Sequence, residues 1–183
     1  MPTLDPPRWM AQPRSGSSAR KAAVQGDFAM LKTALFCMLS LFTVPAAAGP
    51  ADDAATVVTT TLDKFNAGDI DAFFAAHEDG ALIVDEFAPY VWGGPNSAQR
   101  WAADYMKDAA KRGIAGGHMD HAAAIQASSD GSSAYIVVPT TYRFAEHGRK
   151  MAARGSMTFV MARRDAGWKI ASWTYAGEKP VPE

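Results

Sequence analysis

Few residues in this chain are suited to chemistry. His118-Met-Asp120-His121 gathers two imidazoles and a carboxylate in a short run. On a strand, His118 and Asp120 share a face and His121 points the other way. One face then offers a metal two ligands at most, short of the three or more that a site needs, so no metal is expected. The same pair could act as acid and base, with Asp120 orienting His118, although polar residues of an edge strand account for it more simply. Asp85, followed by Glu86, is the other candidate. A carboxylate at the mouth of an apolar pocket has its pKa raised, which suits proton abstraction beside a carbonyl. The plainer reading is a strand-end carboxylate in solvent. His77, at a helix end, and His147, in a turn, read as solvent-facing.

Around these lie many aromatics: Tyr90, Trp92, Trp101, Tyr105, Tyr135, Tyr142, Trp168, Trp173 and Tyr175. Most should pack in the core, where each buries a large apolar area. Strand alternation puts Trp173 and Tyr175 on one face. If that face is concave, they line a pocket for a flat apolar ligand, with Tyr90 and Trp92 at its rim. The other reading is a face sealed by helices or by a second subunit. There is no serine elbow, phosphate-cradling glycine loop or dinucleotide fingerprint, and no cofactor is expected. Gly93-Gly94 and Gly116-Gly117 read as element boundaries.

The elements that must position these residues follow from periodicity and punctuation. Asp52 or Asp53 caps a helix running to about Asn66, with Val57, Val58, Leu62 and Phe65 at helical spacing. Asp69 caps a second helix holding Ile70, Phe73 and Phe74, and Asp79-Gly80 signals a turn. A strand over Ala81–Phe87 and an irregular stretch to Pro95 precede a third helix, about Asn96 to Arg112, with Trp101 and Tyr105 one turn apart. Four strands follow: His118–Ala127, Ala134–Phe144, Met151–Arg163 and Trp168–Tyr175, joined by short turns. Three N-terminal helices and a run of hairpins predict an α+β domain, a curved antiparallel sheet with helices on one face.

The chain has 183 residues, enough for one such domain. Lys32 supplies a positive start, Thr33–Val44 an apolar stretch and Ala46-x-Ala48 a small-residue cleavage site, together a signal peptide over residues 30–48. A permanent span needs roughly 20 apolar residues, so export and cleavage after Ala48 are expected, giving a periplasmic or secreted protein. Residues 1–29 are rich in Pro, Ser, Arg and Gly; they read as a disordered extension, or as the product of a start codon placed ahead of Met30. The single cysteine, Cys37, falls inside the signal. From Gly49 onward, 13 Lys and Arg stand against 17 Asp and Glu, a net charge of −4. That charge disfavours a nucleic-acid partner, and no second apolar span ties the mature part to a membrane.

The stretch from Asn66-Ala-Gly-Asp69 through Leu82-Ile-Val-Asp85 resembles the second helix and first strand of the nuclear transport factor two-like superfamily. The ending Gly167-Trp-Lys-Ile-Ala-Ser-Trp-Thr174 is similar to the last strand of its SnoaL-like members. The resemblance spans nearly all of residues 49–183. It implies a cone-shaped half-barrel around an apolar pocket, often dimeric, on a fold that hosts isomerases, dehydratases, cyclases and binders alike. It also places Asp85 where ketosteroid isomerases of the superfamily carry their general base. Their oxyanion tyrosine corresponds to Thr61, and their protonated aspartate falls near Met157. Both hydrogen-bond donors are lost, so ketosteroid isomerase activity itself is not expected. What remains is an exported domain binding a small apolar molecule, with Asp85, then His118, as polar contacts and Tyr90, Trp92, Trp101, Tyr105, Tyr142, Trp173 and Tyr175 as its surroundings. The alternatives are a cofactor-independent isomerase, cyclase or dehydratase using Asp85 or His118 as base, and a non-catalytic homodimeric assembly or stress protein.

Overall fold

A computed structural model describes residues 49–183. The expected signal peptide and the stretch before it lie outside the described residues. Helix α1 spans Pro50–Asn66, α2 Ile70–Ala76 and α3 Ser97–Arg112. Strands β1 (His77–Val84) and β2 (Val91–Gly94) precede α3. After it come β3 (Ile114–His121), β4 (Gln126–Ser129), β5 (Ser133–Glu146), β6 (Arg149–Arg164), β7 (Gly167–Gly177) and β8 (Val181–Pro182).

Helix α1 starts earlier than its acidic residues suggest. Gly49 is the N-cap and Pro50 the first helical residue, where the missing proline N–H is no loss. Asp52 caps from inside, its Oδ2 accepting Gly49 N–H at 3.0 Å. Ala54, Val58, Thr61 and Leu62 form the buried stripe. Asp69 caps α2 by accepting Ala72 N–H at 3.2 Å, as its type predicts. Gly113 ends α3 in the left-handed conformation, φ +66°, which glycine adopts without steric cost.

The sheet runs in the order β2-β1-β7-β6-β5-β3, with β4 continuing along the same edge of β5 and β8 on β6. Most pairs are antiparallel, but β1 and β7 are parallel, so the sheet is mixed. Helix α1 crosses β3, β4, β5 and β7, while α3 packs on β1, β2 and β3. The inward rows of β5 (Ala134, Ile136, Val138) and β6 (Met157, Phe159, Met161) are almost fully buried beneath the helices. In β7 the extra residue Ala171 shifts the register between Ile170 and Ser172. This bulge resets the alternation, so that Trp168 and Ile170, then Trp173 and Tyr175, all face inward.

Two punctuation signals have other uses than the expected ones. Asp79-Gly80 makes no turn: it sits inside β1, where pairing with both neighbours slips and Gly80 takes φ +89°. The strand therefore begins at His77. Gly116 and Gly117 lie within β3 instead of ending α3, and the stretch read as one strand to Ala127 is divided between β3 and β4.

Candidate functional site

Ala81 and Ile83 point inward from β1, and Asp85, one step past the strand, is the next position on that face. The loop that follows holds it there. Asp85 N–H donates to Tyr90 O at 3.0 Å, and Tyr90 takes φ +72°. The carboxylate accepts two hydrogen bonds, from Trp101 Nε1–H to Oδ2 at 2.8 Å and from Glu86 N–H to Oδ1 at 2.7 Å. Burial pushes its pKa up, against the pull of these two donors, and the charges of Glu86 and Asp108 push the same way. Desolvation dominates because a carboxylate loses more from water than two neutral donors return.

Above Asp85 opens a cleft of about 130 Å³ between α3, the 85–87 loop and the inner sheet face. Its walls are aromatic. Trp101 and Tyr105, one helical turn apart, stack with planes 18° apart and centroids 5.6 Å apart. The Tyr105 and Tyr142 hydroxyls share a hydrogen bond of 2.6 Å, and burial raises both phenol pKa values. Gly117 makes room for this pair, since a Cβ there would lie 2.7 Å from each hydroxyl. Across the cleft, the Tyr175 hydroxyl is buried without a hydrogen-bond partner among the described residues. Burial and the charges of Glu86 and Asp85 push its pKa up to about 12.

Beneath the cleft is a smaller apolar cavity of about 50 Å³, lined by Leu62, Phe73, Met157 and Trp173. Asp85, Trp101 and Tyr175 belong to the walls of both spaces. Deeper still lies His77, which ends α2 as its C-cap as expected but is 7% exposed, and so is buried and not solvent-facing. Its Nδ1 bonds to Phe73 O at 2.8 Å and Trp173 Nε1–H donates to its Nε2 at 3.0 Å. That arrangement defines a neutral ring protonated on Nδ1. Burial lowers its pKa to about 4.

The structure gathers some of the sequence candidates and disperses others. Trp101, Tyr105, Tyr142 and Tyr175 line the cleft with Asp85, and Trp173 lines the inner cavity. Trp92 is not at a rim: it is 2% exposed in the core, its Nε1–H donating to Asp104 Oδ2 at 3.1 Å. Tyr90 is 57% exposed on the loop and lines neither space. His118 and Asp120 meet at 3.3 Å on the outer side of β3, half exposed, where Arg143 also engages Asp120. They are not part of the Asp85 cleft. His121, on the opposite face, bonds to Asp63 of α1 at 2.9 Å. This cross-element pair was hidden in the sequence, because α1 and β3 contribute one residue each. Thr61 spends its hydroxyl on Val57 O at 2.7 Å, and Met157 is buried beneath the inner cavity. Neither offers a donor to the cleft.

A family model described as a SnoaL-like domain matches residues 54–175, from the first turns of α1 to Tyr175. The chain belongs to the SnoaL-like domain family. No curated protein matches it, whereas many solved structures share the fold. A ketosteroid isomerase-like protein from Erwinia carotovora atroseptica is 17% identical, with a TM-score of 0.57 over 73% of this chain and 100% of that one. A hexachlorocyclohexane dehydrochlorinase, LinA type 2, is 13% identical, with a TM-score of 0.60 over 71% of this chain and 87% of its own. The hub of the S. rosetta CaMKII is 17% identical, with a TM-score of 0.55 over 72% and 99%. At such identities the likeness shows the fold alone. This SnoaL-like domain thus shares its architecture with proteins named as enzymes and with an assembly hub, and its function has to be argued from its own cleft.

Proposed function

We propose that this SnoaL-like domain binds a small, largely apolar, ring-bearing molecule in the cleft, with Asp85 as its polar anchor. One observation carries the reading: a carboxylate is withdrawn from water at the floor of an aromatic cleft, where burial costs free energy that a bound partner would offset. The protein is read as exported and homodimeric. Cleavage after Ala48 would remove nothing from the domain, because α1 is capped by Gly49. Leu82, Val84, Tyr135 and Val160 form an uncharged exposed row on the outer sheet face that a second copy could cover.

Native mass spectrometry of protein recovered gently from an exporting host tests the binding reading, with Asp85→Asn alongside. A discrete added mass on the wild type, weakened in the variant, supports it. Bare protein in both samples, whatever its oligomeric state, overturns it in favour of an assembly role.

A second reading is favoured by the same carboxylate. A buried aspartate with a raised pKa, facing a tyrosine pair, suits a cofactor-independent isomerase, cyclase or dehydratase with Asp85 as general base. His118, open to solvent and paired with Asp120, is the less suitable base because nothing around it excludes water. Solvent-deuterium exchange into small cyclic ketones, lost in Asp85→Asn, would favour the enzyme over the binder.

A further inference from the structure

We propose that the cleft selects a protonated amine, a small ring compound whose ammonium group sits between Asp85 and the Tyr175 hydroxyl. This rests on the cleft-binding reading above and adds the charge of the ligand to it.

The first argument is the charge that faces the cleft. Its lining includes four carboxylates, Asp85, Glu86, Asp108 and Glu178, against one basic side chain, Arg112. Arg112 is already engaged, 3.6 Å from Asp108 and 3.3 Å from Glu146. With Asp108 paired to Arg112, the unbalanced charge is that of Asp85, Glu86 and Glu178, and an anionic ligand would meet it with no unpaired cation among the lining residues. A cleft lined by one sign of charge and walled by low-dielectric groups concentrates counter-ions of the other sign.

The hydrogen-bonding inventory points the same way. Trp101 Nε1–H is given to Asp85, and one of the Tyr105 and Tyr142 hydroxyls donates to the other, which leaves that pair a single O–H. Beside Asp85 there remain the further lone pairs of the carboxylate and the Tyr175 hydroxyl, which can donate or accept and has no partner among the described residues, in the wall shared by cleft and inner cavity. An ammonium group carries three donors and no acceptor, so it complements this set. A neutral alcohol supplies one donor, and a carboxylate supplies none.

The aromatic walls complete the fit. The Trp101–Tyr105 stack and Phe65 line the cleft together with Asp85. Aromatic walls pack on an apolar ring and attract a cation that comes over a ring face. Below Asp85 the cavity is apolar, which leaves the ammonium at the level of the carboxylate and the hydroxyl.

The test compares benzylamine, benzyl alcohol and benzoate, three probes of one ring and similar size, on the purified protein at neutral pH. Affinity is read by calorimetry and location by the NMR signal of the Trp101 indole N–H. Benzylamine should bind about tenfold more tightly than benzyl alcohol, with benzoate weakest, and should shift the Trp101 signal. Glu178→Lys, at an exposed position, should weaken benzylamine severalfold and narrow the gap to benzoate. Equal or tighter binding of benzyl alcohol or benzoate at Trp101 would overturn the amine selectivity while leaving the cleft-binding reading standing. Failure of all three probes to bind there would overturn both.

Discussion

Trp101 and Asp85 are bound side chain to side chain, the indole N–H donating at 2.8 Å to a carboxylate that has left bulk water. Helix α3 supplies the donor and the end of β1 the acceptor. The bond therefore ties the helical layer to the sheet where the cleft meets its inner cavity. It also opposes the upward push of burial on the Asp85 pKa, since a donor favours the charged form.

Replacing Trp101 with Phe keeps a ring at that position and removes the donor. The Asp85 pKa should move further up, as followed by carboxylate carbon NMR. The lost bond and the smaller ring should together cost about 1–2 kcal/mol in denaturant unfolding. An Asp85 titration that does not move would show that the bond contributes nothing to holding the charge.

Asp85 makes stability depend on pH in a defined direction. Its native pKa lies above the ordinary 3.8, so the native state holds this proton longer than the unfolded chain does. Below 3.8 both states are protonated and the group is neutral to stability. As pH rises from there through the native pKa, the buried carboxyl becomes a liability. The groups around it are Glu86 and Asp108, whose charges add to the effect, with Trp101, Tyr105 and Tyr175 alongside. Asp85→Asn should therefore gain on the wild type as pH rises through that window, whatever its offset at low pH. Denaturation series across acid to neutral pH check this, and parallel curves would sink it.

His77 works in the opposite sense. Its pKa falls from 6.5 to about 4 on folding, so the native state resists a proton that the unfolded chain accepts. Its full contribution is present above pH 6.5. It is lost as pH falls towards 4, a decline of roughly 3 kcal/mol if nothing else titrates. A His77→Gln variant should show a flatter profile over that range. Proton NMR of the wild-type ring should show no protonation near pH 6.

The hydroxyls of Tyr105 and Tyr142 should be thermodynamically coupled. Each Phe substitution alone leaves the other hydroxyl buried and unpaired, while the double substitution leaves nothing unpaired. A double-mutant cycle should return a coupling of about 1 kcal/mol. Gly117→Ala, whose methyl would press on both oxygens and on the edge of the Tyr142 ring, should mimic the loss of the pair with both tyrosines kept.

Much of this was legible in the chain. Three helices, the Asp69 cap of α2 and the strand runs of β5 to β7 followed from local periodicity, and Asp85 stood out through its place in the family pattern. What was hidden depends on partners far away. His77 looked solvent-facing because Asp79-Gly80 has the composition of a turn, whereas here the same residues make a bulge and the strand starts at His77 itself. Its burial needs Trp173, 96 positions on. Trp92 was set at the rim because nothing local reveals that Asp104 would take its N–H inside the core. The parallel pairing of β1 with β7 also escaped, since short turns announce only antiparallel neighbours.

That parallel pairing sets an order of events. Strand β1 leaves synthesis early, yet its partner β7 is the last long strand of the chain, and Trp173 and Tyr175 travel with β7. Until β7 emerges, the cleft lacks Tyr175, His77 lacks its indole partner, and β1 lacks its parallel neighbour in the sheet. Contacts so distant along the chain must bear their loop-closure entropy before they return anything. The cleft is thus a late product of folding, assembled when the two ends of the domain meet, and a chain cut short before β7 would retain its helices' sequence but never possess the site.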